Sequence, residues 1–242
     1  MKYDITGILS KYPEIHIGVL VGRKMDNKRQ VPELYGLQKE AIKSAKNQIG
    51  DQPPTKNPHI ASWRELYRSF GTKAGDYRPS SEALVRRCIK EEKLPRINNA
   101  VDLYNLVSVK HVIPMGGFDL EHIEGDIYLR YSDGGETFIP LGTGKPEETY
   151  AGEVVYADNK RILTRRWNYR DADETKITEE TRELVMFLDA SPAISVEKVR
   201  QAIEELRKLY EKHCGGKYTT VIAGKENPVI ELGGYASTLY LS

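Results

Sequence analysis

The hydrophobic pattern of this chain changes character near residue 111, and that change constrains the fold more than any other feature. Before it, apolar residues recur mainly at helical spacing. After it come short β-rich runs separated by Gly, Asp and Asn, namely GDIYLRYS, ETFIPLG, GEVVYAD and RILTRRWNY. We therefore expect an α+β fold, with helices around a mixed or antiparallel β core that resembles a barrel. Without repeats or a long linker, residues 1–242 are predicted to form a single domain.

Individual elements follow from local spacing and from Pro and Gly at the ends of segments. The predicted helices cover residues 31–50, 60–71, 78–92, 98–111 and 195–216. Ser62 is a candidate cap for the second helix, and Ser80 or Ser81 begins the third. Strands are expected at 14–22, in the four β-rich runs, and at 217–224 and 227–232.

Composition narrows the class of protein. The chain is 39% hydrophobic and 29% charged with a net charge of +1, which is typical of a globular protein, so any RNA contact must come from a local patch. Two cysteines are too few for a disulfide framework, and the five histidines lack the spacing of metal ligands. No apolar run reaches the roughly 18 residues of a membrane span. We expect a cytoplasmic protein without metal or cofactor, and we leave its oligomeric state open.

The segment RRWNYRDADETK (165–176) places arginines and aromatic residues beside a group of carboxylates. One interpretation is a pocket: guanidinium groups suit phosphates, aromatic faces suit unpaired bases, and carboxylates suit an amine. The other is a solvated strand, in which Arg166, Asn168 and Arg170 face water while Trp167 and Tyr169 enter the core. The sequence alone does not distinguish between these two interpretations.

A specific order of motifs occupies residues 94–136, LPRINNAVDLYNLVSVKHVIPMGGFDLEHIEGDIYLRYSDGGE. This segment resembles the B3/B4 domain of the β subunit of bacterial phenylalanyl-tRNA synthetase, which reads R-x-x-N-x-x-V-D-x-x-N-Y-V and then P-M-H-A-F-D-x-x-K-I-x-G. The matching residues are Arg96, Asn99, Val101, Asp102, Asn105, Pro114, Met115, Phe118, Asp119, Ile123 and Gly125. The resemblance covers 78–190 well and the two ends loosely, so residues 1–75 are interpreted as an extension packed on the domain.

The resemblance implies an activity. In the synthetase this domain hydrolyses the ester that joins a wrong amino acid, typically tyrosine, to the 3′ end of phenylalanine tRNA. The implied function here is the same editing reaction performed in trans on a mischarged tRNA. Asn105 matches the second asparagine of V-D-x-x-N, and Asp173 or Glu174 falls where the family keeps a glutamate that reads the tyrosine hydroxyl.

Two departures from the family pattern alter the implied pocket. The family histidine of P-M-H-A-F-D is Gly116 here, and the small Met-Gly-Gly turn is replaced by Arg165, Arg166 and Trp167. A pocket changed in this way accepts another amino acid or has lost hydrolysis.

Candidate residues can now be assigned. We expect Asn105 and the backbone amides at Gly116 and Gly117 to orient the ester. The candidates for binding the aminoacylated 3′ end of tRNA are Arg96, Asn99, Arg165, Arg166, Trp167, Asp173 and Glu174. Asn99 and Asp102 have an equal claim to a structural role at the start of the fourth helix, and Arg96 to an ion pair.

Two further functions compete with editing. One is a binding module that keeps the pocket for an amino acid, a nucleotide or RNA without catalysis. The other is an interaction domain that docks on a synthetase or a ribosome through residues 1–75. Salt-sensitive tRNA binding would separate the last function from the other two. The sequence names neither the amino acid nor the tRNA.

Overall fold

The computed structural model describes residues 1–233, and their backbone alternates between helices and strands. The helices are α1 (Thr6–Leu9), α2 (Leu34–Ile49), α3 (Pro58–Ser69), α4 (Ser80–Glu91), α5 (Asn99–His111) and α6 (Val196–Cys214). The strands are β1 (Lys2–Asp4), β2 (His16–Arg23), β3 (Met115–Asp119), β4 (Ile127–Tyr131), β5 (Thr137–Phe138), β6 (Glu147–Glu148), β7 (Val154–Ala157), β8 (Ile162–Arg165), β9 (Arg170–Asp171), β10 (Leu184–Ala190), β11 (Lys217–Ala223) and β12 (Val229–Glu231). The five helices predicted from periodicity are confirmed to within a few residues.

Side-chain caps fix where several helices begin. The Asn57 side chain accepts hydrogen bonds from the backbone amides of His59 and Ile60 at 3.0 and 3.4 Å, so the expected cap at Ser62 is wrong. Asn98 caps α5 through the amide of Val101 at 3.1 Å. The sequence thus predicted where these helices begin, but it did not predict which residues cap them.

The strands form two main sheets and one short hairpin. The six-stranded sheet has the order β12-β1-β4-β7-β8-β9, and the four-stranded sheet has the order β11-β2-β10-β3. The strands β5 and β6 pair separately. None of these sheets closes on itself within residues 1–233, so the expected barrel-like core is wrong, whereas the α+β class is confirmed. Among these residues, β11 and β3 are the edge strands of the four-stranded sheet, and β12 and β9 are those of the six-stranded sheet.

Residues from the beginning of the chain lie inside both sheets. Strand β1 pairs with β12 on one side and with β4 on the other. Strand β2 lies between β11 and β10. The first 75 residues thus supply interior strands, and the apolar core extends continuously from Tyr3 to Leu232. Of the residues predicted as one domain, 234–242 lie outside the described part. Among residues 1–233, each helix is too short or too polar to span a membrane.

Two adjacent glycines on the edge strand β3 have very different surroundings. A Cβ atom on Gly117 would lie 2.3 Å from the sulfur of Met186 and 2.5 Å from the carbonyl oxygen of Val185. A Cβ atom on Gly116 would lie at ordinary contact distance, 3.6 Å from the carboxylate of Asp171. Only Gly117 is therefore required for the close approach of β3 to β10.

This difference gives a prediction about stability. Gly117→Ala is expected to lower the free energy of unfolding by about 1–3 kcal/mol, because the added methyl group must displace the β10 backbone. Gly116→Ala, which introduces no clash, is the matched control and is expected to change the free energy by much less. Urea unfolding of both variants measures the effect. Equal midpoints for the two variants would contradict the close approach.

Candidate active site

Residues from both sheets line one partly enclosed cavity of about 330 Å³. Strands β3 and β10 contribute from the four-stranded sheet, and β7, β8 and β9 from the six-stranded sheet. The turn 166–169, the first residue of α4 and the loop after β5 complete the wall. The lining residues are Ser80, Met115, Gly116, Phe118, Leu141, Tyr156, Thr164, Trp167, Asn168, Tyr169, Arg170, Asp171, Phe187 and Asp189. The volume falls at the lower end of the range of small-molecule pockets.

Asp171 is one of two carboxylates in this cavity. It lies on β9, is partly buried, and accepts a hydrogen bond from Thr164 Oγ1 at 2.7 Å. Burial raises the pKa of Asp171 to about 6, and the Thr164 hydrogen bond opposes that shift. Gly116 lies beside this carboxylate, so the absence of a side chain at position 116 leaves the space next to Asp171 open. A carboxylate that titrates near neutral pH is suited to accept a proton from water.

Asp189, on β10, is the second carboxylate, and it is only 3% exposed. The Tyr156 hydroxyl donates to its Oδ1 at 2.6 Å, and Asn168 Nδ2 donates to its Oδ2 at 3.1 Å. Tyr156 in turn accepts from the Tyr3 hydroxyl at 3.2 Å, while Asn168 accepts from the Tyr67 hydroxyl at 2.8 Å. Burial raises the pKa of Asp189 to about 7, although both hydrogen bonds favour the charged form. This network holds Asp189 in a fixed orientation.

The segment 165–170 forms a tight turn between β8 and β9. Arg166 and Asn168 are buried, so the solvated-strand interpretation is wrong for them, whereas Trp167 enters the core as that interpretation expected. Arg166 and Trp167 adopt the left-handed conformation, with φ values of 50° and 67°. Non-glycine residues reach this region at a cost of about 1 kcal/mol or more each. Arg166 and Trp167 therefore hold a strained, left-handed backbone conformation, which glycine would adopt without strain.

Buried contacts hold the turn in place. The Trp167 amide donates to the Val154 carbonyl at 2.6 Å, and the Trp167 ring is fully buried 5.1 Å from that of Trp63. Arg165 makes a bidentate pair with the buried Glu153, from Nε at 2.9 Å and from Nη2 at 2.8 Å. Its Nη1 also donates to Glu147 at 2.8 Å. Arg165 is thus occupied by carboxylates of its own chain.

The structure brings only some of the sequence-derived candidates to the cavity. Gly116 and Trp167 line it, and Gly117 lies beside Gly116 on β3. Asn105 is buried on α5 and is absent from the lining. The others outside the lining are Arg96, Asn99, Arg165, Arg166, Asp173 and Glu174.

Several of these outlying candidates have contacts elsewhere. Asn99 Nδ2 donates to the Asn27 carbonyl at 3.0 Å. Arg96, although 65% exposed, lies 3.1 Å from the buried Asp102. Arg96 thus forms the ion pair that the sequence left open, whereas Asn99 contacts the loop after β2 and the cap of α5 is Asn98.

The acidic pair that follows β9 faces solvent. Asp173 is paired with Lys176 at 2.8 Å, and that hydrogen bond holds the pKa of Asp173 below its ordinary value. Glu174 lies 3.5 Å from Arg161. The carboxylates in the cavity are therefore Asp171 and Asp189, which sequence reasoning did not select. A signal for Asp189 was present, because it is a charged residue within the apolar run LVMFLDA.

Comparison with known proteins identifies the family of the region that contains the cavity. The model of the B3/4 domain family matches residues 62–216, which contain every residue that lines the cavity. The phenylalanine–tRNA ligase beta subunit of Vibrio vulnificus strain YJ016 is 33% identical over 101 residues, 40% of this chain and 12% of the relative. That of Chromobacterium violaceum is 30% identical over 139 residues, 56% of this chain and 17% of the relative.

A solved structure is also similar. It is an N-terminal fragment of the phenylalanyl-tRNA synthetase beta-subunit from Pyrococcus horikoshii, with a TM-score of 0.43 and 14% identity, over 91% of this chain and 53% of that chain. The chain spans less than a fifth of the length of the two bacterial ligase subunits that it matches. The family match extends over more than half of the chain and includes the whole cavity. On that basis, this protein belongs to the B3/4 domain family.

Proposed function

We propose that this protein hydrolyses, in trans, the ester between an amino acid and the 3′ end of a mischarged tRNA. The observation that carries the proposal is the position of Asp171. Its carboxylate, with a pKa raised to about 6, lies beside the open position at Gly116 in a cavity within the B3/4 region. The relatives are named as phenylalanine–tRNA ligase beta subunits, which supports an aminoacylated RNA as the substrate.

The cavity suits an aminoacyl group. Phe118, Tyr156 and Phe187 form an aromatic wall against which an amino-acid side chain packs. Asp189, held by Tyr156 and Asn168, accepts a hydrogen bond from an amine or a hydroxyl group of the substrate. In this proposal Asp189 takes the recognition role that the sequence suggested for Asp173 or Glu174.

The chemical step is a single hydrolysis. A water molecule gives a proton to Asp171, and its oxygen attacks the ester carbonyl carbon. The bond from that carbon to the ribose oxygen then breaks, and the ribose oxygen takes up the proton held by Asp171. The transfer is either direct or through the neighbouring ribose hydroxyl, which gives its own proton and receives that of Asp171. The second proton of the water leaves with the carboxyl group of the amino acid.

Since β3 is an edge strand, alternate amides along it point away from β10. The Asp119 amide points away from β10 and donates to the Thr175 carbonyl at 3.0 Å, so the Gly117 amide, two residues earlier, also points away from β10. We assign the Gly117 amide, rather than that of Gly116, to stabilising the oxyanion.

Asn105 has an indirect role in this proposal. It lies on α5, which packs against β3, and outside the cavity lining. We propose that Asn105 positions β3 rather than touching the ester. Asn105→Ala is then expected to reduce hydrolysis by less than replacement of Asp171.

A non-catalytic binding module is the second candidate. Two observations favour it: the histidine of the family pattern is Gly116 here, and Arg165 is occupied by Glu153. Such a module would hold the same aminoacyl group without cleaving the ester.

The test is deacylation of a panel of mischarged tRNAs at low salt, beginning with tyrosine on phenylalanine tRNA. We expect one member to lose its amino acid in proportion to the protein concentration, with many turnovers per molecule. If every member decays at the rate of the buffer control while still binding, the proposal is wrong and the binding module replaces it. Binding that disappears with added salt identifies contacts to the RNA backbone.

A further inference from the structure

Two tyrosines lie behind the cavity wall without lining it. Tyr3, on β1, and Tyr67, on α3, are both fully buried and absent from the lining. Each hydroxyl contacts a residue that itself contacts Asp189, namely Tyr156 for Tyr3 and Asn168 for Tyr67. Phenylalanine would fill the same space without placing a polar group in the core. The two hydroxyl groups therefore require an explanation other than packing.

The Tyr67 hydroxyl fixes the orientation of the Asn168 amide group. It donates to Asn168 Oδ1 at 2.8 Å, which leaves Nδ2 of the same amide to donate to Asp189 at 3.1 Å. If the amide turned over, Nδ2 would donate to the Tyr67 oxygen, and the Tyr67 proton would have no acceptor among residues 1–233. A buried donor without an acceptor is unfavourable. Tyr67 thus keeps an N–H donor directed at Asp189.

The Tyr3 hydroxyl has the same effect on the hydroxyl of Tyr156. Tyr3 donates to the Tyr156 oxygen at 3.2 Å, and Tyr156 donates to Asp189 at 2.6 Å. Reversing this chain would leave the Tyr3 proton without an acceptor in the described part of the protein. Burial raises the pKa values of Tyr3 and Tyr67 well above the ordinary value of a tyrosine, so both hydroxyls keep their protons at neutral pH. The Tyr156 proton is therefore directed at Asp189.

Asp189 is closely balanced between its charged and neutral forms. Each of its two oxygens receives a donor, and the Trp167 indole also favours the charged form. Burial opposes these donors most strongly, the negative charge of Asp171 in the same cavity adds to that effect, and the pKa of Asp189 is raised to about 7. A change in the surrounding donors therefore alters the charge of Asp189 at neutral pH.

We propose that Tyr3 and Tyr67 are positioning residues that keep Asp189 an acceptor of hydrogen bonds, so that it binds a donor group of the aminoacyl substrate. This inference rests on the proposed function, in which Asp189 recognises the substrate. Neither tyrosine touches the substrate, since each acts through a residue of the cavity wall. Tyr3 also lies outside residues 62–216, which match the B3/4 domain family, so strand β1 contributes to the site.

The first measurement is a pH titration of Asp189 by NMR of its carboxyl carbon, which requires no substrate. Asp189→Asn identifies the resonance. In Tyr67→Phe the Asn168 amide is free to turn over, and we expect the midpoint of the titration to rise by about one pH unit. Tyr3→Phe is expected to raise the midpoint as well. Both substitutions keep the aromatic ring, and with it contacts such as that between Tyr3 and Phe187 at 4.5 Å.

The matched control is Tyr210→Phe. Tyr210 is also fully buried, and its hydroxyl donates to the backbone carbonyl of Ala100 at 3.0 Å, away from the cavity lining. This variant loses one buried hydrogen bond, as the other two variants do, but it is expected to leave the titration of Asp189 unchanged. An equal shift in all three variants would overturn the inference, because any lost hydroxyl would then have the same effect.

The second measurement separates KM from kcat on the mischarged tRNA that the wild-type protein hydrolyses. A midpoint raised from about 7 to about 8 leaves about fivefold less Asp189 charged at pH 7, so KM is expected to rise about fivefold in Tyr67→Phe. We expect kcat to change little, because Asp189 holds the substrate equally before and during ester cleavage. A merely structural role would instead lower the amount of active protein, and hence kcat, at an unchanged KM.

The outcomes separate this inference from the proposed function. An unshifted titration in both Tyr3→Phe and Tyr67→Phe would overturn the inference, whether or not the protein hydrolyses an ester. A shifted titration with an unchanged KM would overturn the part of Asp189 in recognition. A shifted titration in a protein that hydrolyses no member of the panel would keep the positioning role and overturn the proposed function.

Discussion

Replacing Asp171 with asparagine is expected to lower the rate of ester hydrolysis by about 10²–10⁴-fold, because the amide cannot accept the proton of the attacking water. Asparagine has the same shape as aspartate and keeps one oxygen as an acceptor. It can therefore accept the hydrogen bond that the Thr164 hydroxyl donates to Asp171 at 2.7 Å in the wild-type protein. The aminoacyl group should therefore still bind. The measurement is the single-turnover rate on the panel member that the wild-type protein hydrolyses fastest. An unchanged rate would remove Asp171 from the chemistry.

The same substitution is expected to stabilise the protein at neutral pH. The pKa of Asp171 is raised by burial to about 6, so between roughly pH 4 and pH 6 the unfolded chain loses this proton while the folded chain keeps it. The contribution of Asp171 to the stability of the wild-type protein falls over that interval, and the cost persists above pH 6. Asp171→Asn is therefore expected to raise the free energy of unfolding by about 1–2 kcal/mol at pH 7. Thermal unfolding at pH 7 and pH 4 tests this, because the advantage should disappear at the lower pH.

A loss of activity together with a gain in stability distinguishes a functional carboxylate from a structural one. If Asp171 held the fold together, its replacement would reduce both properties. A destabilised Asp171→Asn variant at pH 7 would contradict the assigned role.

Replacing Glu153 with glutamine is expected to lower the free energy of unfolding by about 3 kcal/mol, because a buried guanidinium loses the buried one of its two carboxylate partners and keeps only the half-exposed Glu147. Glu153 is fully buried and accepts from Arg165 Nε at 2.9 Å and from Arg165 Nη2 at 2.8 Å. It also accepts from the backbone amides of Arg166 and Tyr150 at 3.1 and 3.2 Å. Glutamine replaces one of the two accepting oxygens by an NH2 group, which is itself a donor and therefore cannot bind the N–H groups that now donate to Glu153. Urea unfolding gives the free energy directly.

The control for this experiment is Glu147→Gln. Glu147 contacts the same arginine at 2.8 Å, but its side chain is 44% exposed. Its replacement is expected to cost less than about 1 kcal/mol. Equal losses in the two variants would show that burial of Glu153 does not set the strength of the pair.

Local features of the sequence were sufficient to predict the helices. The periodic apolar positions of 31–50 and 195–216 lie on α2 and α6, because helical spacing depends only on neighbouring residues. Whether a sheet closes into a barrel depends on which strands lie at its edges, and no short segment of sequence indicates this. The barrel expectation failed for that reason, since within residues 1–233 the four-stranded sheet ends at β11 and β3 and the six-stranded sheet ends at β12 and β9.

The candidate site was predicted only in part. Of the residues selected from the sequence, Trp167 and Gly116 line the cavity, whereas most of the others do not. The turn 166–169 was missed because Arg166 and Trp167 are not residues that usually mark a left-handed turn. Once the chain turns there, Asp171 enters the cavity, while Asp173 and Glu174 lie outside its lining. A choice between carboxylates two residues apart thus depends on a backbone conformation that residue type did not reveal.

The pH dependence of hydrolysis tests the central claim most directly, namely that the Asp171 carboxylate activates the water. The rate above background is measured from pH 5 to pH 8 with the wild-type protein on its preferred mischarged tRNA. The account predicts a rate that rises about tenfold per pH unit at low pH and levels off above about 6, where Asp171 is ionised. A rate that is independent of pH across this range, or the same profile in Asp171→Asn, would contradict it.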